Sequence, residues 1–429
     1  MKYEGSVLTF DGVTVDDLAE KYGTPLYIYD AGVIRKQIRR VERAFGGRGI
    51  NPYFAAKANS NRNILAMFAE SGFGCDAVSP GEILVALAAG FEPSDIWFTC
   101  SNVSDEDLRF VSYEPQIVIN LNSFSELERI IALRIGNPLS LRINTEVGAG
   151  HHKDVVTGGF GVKFGFEISD LPEARKSAAA AGLKITGIHA HIGSGIASID
   201  PLLASARRLI ELSRDFPDLE VLNFGGGLAV PYRPGDQDFP IDEYGTALAS
   251  LLRDPMKERG ITGIVEPGRY LVAGSGFLLA RITAKRVSHE YTWIGCDTGF
   301  NHLVRPSRYG AYHHILNASN GSDEWLRTNI AEQWDPRHGV LVAGNLCESG
   351  DLFTREGDEL RPRPMPESSV GDLLLFCDAG AYGYSMGSHY NSRPMPAEIM
   401  IDDGEVSVIR VRQPLESLLQ DQPVAKAST

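Results

Sequence analysis

Apolar residues recur at helical spacing from Ala31 to Phe45, with Val33, Ile34, Ile38 and Val41 on one stripe. Beyond that helix the pattern becomes an alternation. Short apolar runs near 51–57, 75–79, 96–100, 116–120, 139–144, 185–191, 220–225 and 262–266 read as strands, and helical patterns lie between them. One helix carries Ile64, Leu65 and Phe68. Another opens on Ser123-Phe124-Ser125-Glu126, a capping-box signal, and continues through Leu127, Ile130 and Ile131. A third carries Tyr244, Leu248, Leu251 and Leu252. Eight strands alternating with helices predict an α/β fold built on a closed (β/α)8 barrel of the TIM type. A doubly wound open sheet is the competitor, but no G-x-G-x-x-G follows an early strand.

After Gly274 the period changes. Phe277 to Val287, Tyr291 to Cys296, Val340 to Ala343 and Asp372 to Cys377 read as strands. Glu398 to Ile401 and Val406 to Ile409 flank Asp402-Asp403-Gly404, a tight-hairpin signal. Residues 1–30 also carry strand pattern, from Val7 to Val13 and at Leu26-Tyr27-Ile28-Tyr29. Two domains are therefore expected: a barrel over 31–274, and a mainly antiparallel, sandwich- or barrel-like β domain made of 1–30 and 275–429. A length of 429 residues agrees with two cores.

Charge narrows the function classes. There are 55 acidic and 41 basic residues, a net charge of −14, which argues against nucleic acid and anionic membrane as partners. No apolar run is long enough to span a bilayer, and the first residues lack a secretory pattern. The five cysteines are odd in number, scattered, and form neither a disulfide framework nor a metal-type spacing, so a reducing cytoplasm is expected.

Candidate chemistry gathers at the C-terminal ends of the barrel strands, where barrel active sites lie. Lys57 closes the run Asn51-Pro52-Tyr53-Phe54-Ala55-Ala56-Lys57-Ala58-Asn59. It is either a solvated strand end or a primary amine held rigidly for a cofactor aldehyde. His189 and His191 share one face of the sixth strand. A metal would want a further ligand, and none is obviously placed. The other readings are a flat ring against an aromatic cofactor, with Ser194 donating to a phosphate, or a hydrogen-bonded histidine inside the barrel. Gly225-Gly226-Gly227 ends the seventh strand and lets backbone N–H groups approach an anion, whereas a tight turn alone would need one glycine. Glu266-Pro267-Gly268-Arg269 ends the eighth. Its carboxylate either pairs with a protonated pyridine nitrogen or forms an ordinary surface ion pair with Arg269. The glycine-rich loop from Gly148 through His151 and His152 to Gly165 reads as a lid or a disordered segment. In the β domain, Cys347-Glu348-Ser349-Gly350-Asp351 sets a thiol beside a carboxylate, and Arg305-Pro306-Ser307-Arg308-Tyr309 supplies charge for an anionic substrate.

Taken together, Tyr53 to Asn59, His191-Ile192-Gly193-Ser194, the glycine triplet, Glu266 to Arg269, Cys347 to Asp351 and Gly380-Ala381-Tyr382-Gly383 resemble a known family. It is that of the fold-type III, alanine-racemase-like pyridoxal-phosphate decarboxylases, and within it the diaminopimelate decarboxylases. The resemblance runs from about Pro25 to Ile401. It implies pyridoxal 5'-phosphate joined to Lys57, with His191 stacked on its ring and Glu266 holding its nitrogen. Ser194, Gly225, Gly226, Gly227, Gly268 and Arg269 would surround its phosphate, and Tyr382 would contact cofactor and substrate. Arg269, Arg305, Tyr309 and Glu348 are implied to grip the substrate. Cys347 is implied as proton donor, and Cys347 and Glu348 as reaching the site of a partner subunit, hence a homodimer with shared active sites.

The implied reaction is decarboxylation of meso-2,6-diaminoheptanedioate to L-lysine and carbon dioxide. Arginines at the distal end would repel an ornithine or lysine ammonium, which favours a substrate carrying amine and carboxylate at both ends. Rival readings are a decarboxylase of another diamino acid or a D-amino acid, a racemase of the same fold, and a non-catalytic binding relative. Departures from the family pattern fall at Thr145, His302, His389 and Ser101-Asn102-Val103, outside the cofactor set.

Overall fold

The structure is a computed structural model that describes residues 1–99, 101–150, 152, 156–159, 161–288, 291–327, 339–357 and 359–423. The chain forms two compact units. One comprises Arg35–Val230 and Asp238–Val272, the other Met1–Ile34, Pro231–Gln237 and Ala273–Thr429.

In the first unit eight parallel strands close into a barrel: Ile50–Ala55, Gly74–Ala77, Ile96–Thr99, Val118–Leu121, Leu139–Arg142, Ile185–His189, Val221–Asn223 and Thr262–Val265. The last pairs with the first, through Gly263 opposite Ile50. The intervening helices start and stop where side-chain chemistry directs. Ser79 caps Pro80–Ala89 by accepting from the Glu82 N–H, and Gly90 ends that helix at φ +102°. Ser104 and Asp107 form a reciprocal capping box on Asp105–Ser112. At Ser123 the expected box takes a different form. Ser123 accepts from the Glu126 N–H, but the buried Glu126 carboxylate receives the backbone N–H groups of Asn122 and Asn102, tying two strand-end loops together.

Alternation along the strands sorts the barrel interior into two layers. The lower layer is apolar, with Tyr53, Trp97 and Ile264 packed together against Val118 and Val221. The two large rings need room. A Cβ on Gly74 would lie 2.4 Å from the Tyr53 ring, and one on Gly187 2.7 Å from Trp97. Two residues further along, the same face turns polar on seven of the eight strands: Asp76, Thr99, Asn120, Arg142, His189, Asn223 and Glu266, all buried, with Ala55 at the matching place on the first. A hydrophobic plug thus carries a polar floor at the C-terminal end of the strands.

The second unit is a mixed sheet. Its strand order is Ile315–Asn317, Leu373–Phe376, Gly276–Ser288, Leu26–Asp30, Ala397–Asp402 and Glu405–Arg410. Most pairs are antiparallel, but Leu26–Asp30 runs parallel to Ala397–Asp402, and Tyr291–Cys296 runs parallel to Val340–Ala343. One face buries Leu26, Ile28, Leu279, Leu373, Leu375 and Ile399. The Asp403-Gly404 turn has φ of +48° and +86°, the left-handed pair that a two-residue hairpin loop requires. No helix among the described residues is long and apolar enough to cross a membrane.

Candidate active site

Lys57 lies just past the first barrel strand, in a single 3-10 turn over Ala56–Ala58 rather than in the strand itself. Its Nζ is 2.5 Å from Asp76 Oδ2, and the side chain keeps 33% of its surface exposed while Asp76 has none. Thr99 Oγ1 donates to the other Asp76 oxygen at 2.7 Å. The lysine is therefore anchored to a fixed buried carboxylate, as a solvated strand end would not be, and it is still reachable from the mouth.

Glu266 is also buried and held on both oxygens. Asn223 Nδ2 donates to Oε1 at 2.6 Å, and His189 Nε2 lies 3.2 Å from Oε2. Burial opposes its ionisation, but the hydrogen bond with His189 and the positive charge of Lys57 outweigh burial and hold the carboxyl below its usual range. Each oxygen has lone-pair capacity for a further donor. Glu266 and Arg269 are both buried, so the surface-pair reading does not apply. A carboxylate does stand beside a histidine, contrary to the expectation from spacing. Even so, the described residues contain no group of three or more His, Cys, Asp or Glu able to hold a metal.

The two histidines divide the readings between them. His189 is the hydrogen-bonded interior residue, 1% exposed. His191 sits at the rim with its ring nearly parallel to that of His189, 6.4 Å away at 7°. The Gly226 N–H donates to His191 Nδ1 at 3.1 Å, which leaves the ring proton on Nε2. Burial, then the positive charges of Lys57 and Arg142, push its pKa well below the ordinary value, so the ring is neutral.

All three triplet glycines are required by backbone packing. Gly225 and Gly227 have φ of +65° and +96°, and a Cβ on Gly226 would lie 2.0 Å from the Glu266 carbonyl oxygen. The count of three therefore does not by itself separate a turn from an anion cradle. What favours the cradle is its neighbour: Arg269 Nε and Nη2 lie 3.2 and 3.0 Å from Ser194 Oγ, setting a buried guanidinium and a hydroxyl side by side. Gly268 packs against Ala55 and Ala58, where a Cβ would lie 3.0 Å from each methyl carbon.

The described part of the 148–165 loop is bonded to strand ends. Asn144 Oδ1 accepts from Gly159, Asn122 Oδ1 accepts from Gly165, and Arg142 lies over the Phe164 ring at 4.3 Å. His151 lies outside the described residues, as does Cys100.

The β unit holds the remaining candidates. Arg305 is 1% exposed at the start of the short helix Arg305–Tyr309, although the sequence suggested an accessible charge. Ser307 Oγ donates to the Gly350 carbonyl at 2.6 Å, joining this helix to the loop that carries Cys347 and Glu348. Cys347 is exposed, and its backbone N–H donates to Asn391 Oδ1 at 2.8 Å. Glu348 bonds the Tyr390 hydroxyl and raises its pKa. Tyr382 adopts φ +57°, a left-handed conformation uncommon for a tyrosine. Asp378, at φ +57°, is raised to about 7 by burial against the lowering influence of Arg305.

Asp351 clamps the Cys347 loop. Its oxygens accept the Phe300 N–H at 2.7 Å and the Leu346 N–H at 2.8 Å. Gly344 and Gly299 leave the space it fills. Burial raises its carboxyl to about 6 against those two donors. Between the unfolded value of about 3.9 and that value, the folded protein keeps a proton that the unfolded chain releases, so stability falls as pH rises. Asp351→Asn should lack this slope. It should also cost about 1.5–3 kcal/mol near pH 7, because an NH2 must face a backbone donor. Urea unfolding between pH 4 and 8 checks both; an unchanged slope contradicts the assignment.

Sequence reasoning missed Asp76, Asn223 and Arg142. Each is the last inward-facing residue of its strand, two positions after a Gly, Val or Ser on the same face, and that offset is the signal that finds them. The family departures are absorbed locally. Thr145 pairs with Ser205 at 3.0 Å, and His302 with Thr298 at 3.0 Å and the Pro394 carbonyl at 3.1 Å. His389 pairs with Gln413 at 2.6 Å.

Residues 31–273 match the family model of the pyridoxal-dependent decarboxylases, pyridoxal binding domain. The chain is 40% identical over 428 residues to a diaminopimelate decarboxylase of Methanothermobacter thermautotrophicus, covering 97% of this chain and 96% of that one. Among solved structures, it is similar to diaminopimelate decarboxylase from M. jannaschii in complex with L-lysine. That likeness has a TM-score of 0.86 and 30% identity, over 99% of this chain and 98% of the other. The Helicobacter pylori enzyme complexed with L-lysine gives a TM-score of 0.84 and 31% identity over 95% and 98%.

The barrel mouth suits pyridoxal phosphate on its own chemistry. It offers a reachable amine, a neutral flat ring, an ionised buried carboxylate for a pyridinium N–H, and a guanidinium–hydroxyl pair for a phosphate. The chain belongs to the diaminopimelate decarboxylase family of fold-type III pyridoxal-phosphate-dependent decarboxylases.

Proposed function

We propose that this chain removes the D-carboxylate of meso-2,6-diaminoheptanedioate and releases L-lysine and carbon dioxide. The observation that carries the reading is the assembly of Lys57, Glu266 and His191 around one polar barrel floor, in a chain of this family. Lys57 would hold pyridoxal phosphate covalently, and Ser194, Gly225 to Gly227, Gly268 and Arg269 would hold its phosphate. When bound, the cofactor supplies an electron sink for the bond that loses its carboxylate. Glu266, held ionised, would keep the ring nitrogen protonated, and neutral His191 would add no charge beside it.

Arg269, Arg305, Tyr309, Tyr382 and Glu348 bind and orient the substrate. The arginines face its distal carboxylate and Glu348 its distal amine. Cys347 delivers the proton that takes the place of the departing carboxylate, and Lys57 releases the product. Exposure of Cys347 and Glu348 in the single chain supports a homodimer in which they serve the partner subunit's site. Cys75, Cys296 and Cys377 are free and buried, which supports a cytoplasmic setting.

A substrate panel with the pyridoxal-phosphate-loaded protein tests the reading. The meso compound should release carbon dioxide and L-lysine. Faster turnover of lysine or ornithine would overturn the assignment in favour of a decarboxylase for single-ended amino acids.

A further inference from the structure

We infer that His313 is a positioning residue for the substrate arginine Arg305, and that it sets the affinity for the distal carboxylate. The inference rests on the role proposed above for Arg305. A guanidinium buried to 1% exposure must be fixed by acceptors or rings, because water is not there to solvate it. Arg305 Nη1 lies 2.9 Å from His313 Nε2. His313 Nδ1 lies 2.8 Å from the carbonyl oxygen of Cys377. A carbonyl can only accept, so the imidazole proton is on Nδ1, and Nε2 offers its lone pair to the arginine.

The ring is thus a directional relay. It takes one N–H of Arg305 and passes the constraint to the strand end that leads into Asp378 and Tyr382. Tyr232 completes the socket. Arg305 lies over its ring at 4.5 Å, and that ring meets His313 edge-on at 5.6 Å. One N–H edge is spoken for and one face is covered. That leaves the fork in a fixed orientation, which is what two-point recognition of a carboxylate needs. His313 is itself fixed from behind, since its backbone carbonyl accepts from the buried Arg363 guanidinium.

A merely structural histidine would alter stability and leave ligand discrimination alone. The two roles separate on ligands that differ in the distal carboxylate. The substrate and the product L-lysine both keep the L-carboxylate, whereas pentane-1,5-diamine has none. With the loaded enzyme, His313→Phe should raise KM for the meso compound about tenfold and weaken L-lysine inhibition by a similar factor. Its kcat and cofactor absorbance should change little, and inhibition by pentane-1,5-diamine should be unchanged. His313→Gln, whose carbonyl oxygen can accept from Arg305, should recover much of the loss and serves also if the Phe variant folds poorly. Arg305→Ala should raise KM further, and adding His313→Phe to it should change nothing more.

If Arg305→Ala raises KM but neither His313 variant shifts it, the inference fails while the reading of Arg305 stands. An equal loss for lysine and pentane-1,5-diamine would also overturn it. An unchanged KM in Arg305→Ala would take down both.

Discussion

Lys57→Ala should lower the rate of carbon dioxide release by about ten-thousandfold or more, with loss of the visible absorbance of lysine-bound cofactor. The size of the effect follows from where the amine is held. Lys57 Nζ rests 2.5 Å from Asp76, which Thr99 fixes from the other side, on a turn that directly follows a barrel strand. No other described residue named for the site offers a primary amine. The change also leaves the Asp76 carboxylate buried without its lysine, so some stability should be lost as well. Urea unfolding of both proteins separates the two effects. If the variant is as well folded as the parent and retains a tenth of its activity, Lys57 is not the attachment point.

Glu266→Gln should lower kcat about 100- to 1000-fold, because a neutral amide no longer favours a protonated ring nitrogen. The substitution keeps the shape of the side chain, which makes the lost charge the variable. It has a structural cost that the geometry also specifies. If the amide oxygen keeps the Asn223 bond, the NH2 faces His189 Nε2, which must then present a lone pair. The His189 proton moves to Nδ1, a buried atom with no hydrogen-bond partner among the described residues. An unsatisfied buried N–H costs about 1–3 kcal/mol, so the unfolding midpoint should fall in step with activity. A kcat within about fivefold of the parent, measured at saturating cofactor, would show that the carboxylate charge is not used.

The barrel was legible because its strands are short apolar runs at regular intervals, and the helix Ala31–Phe45 because its stripe is uninterrupted. The residues at strand ends were legible as types: an amine, an imidazole, a carboxylate and glycines. Their supports were not. Asp76 and Asn223 stand alone in apolar strands and look like exceptions until the register of eight strands is known. Only then does the shared inward offset make a layer of them. The glycine triplet was read for an anion, yet each glycine is already demanded by a carbonyl or side chain brought up from another strand end, a fact that local sequence does not hold. In the β unit the strands were visible one by one. The pairing of Leu26–Asp30 between Gly276–Ser288 and Ala397–Asp402 joins segments hundreds of positions apart, so no local pattern announces it. The burial of Arg305 was hidden for a related reason, since Tyr232 covers it from a distant stretch of chain and His313, which contacts it, is itself held by the Cys377 carbonyl.

The most direct test asks which lysine carries the cofactor. The protein is loaded with pyridoxal phosphate, reduced with borohydride, digested, and its peptides are mapped by mass. The account predicts a reduced pyridoxyl-phosphate group on Lys57, present in stoichiometric amount and displaced when the meso substrate is added before reduction. Label on another lysine, or spread over several with Lys57 bare, would contradict it.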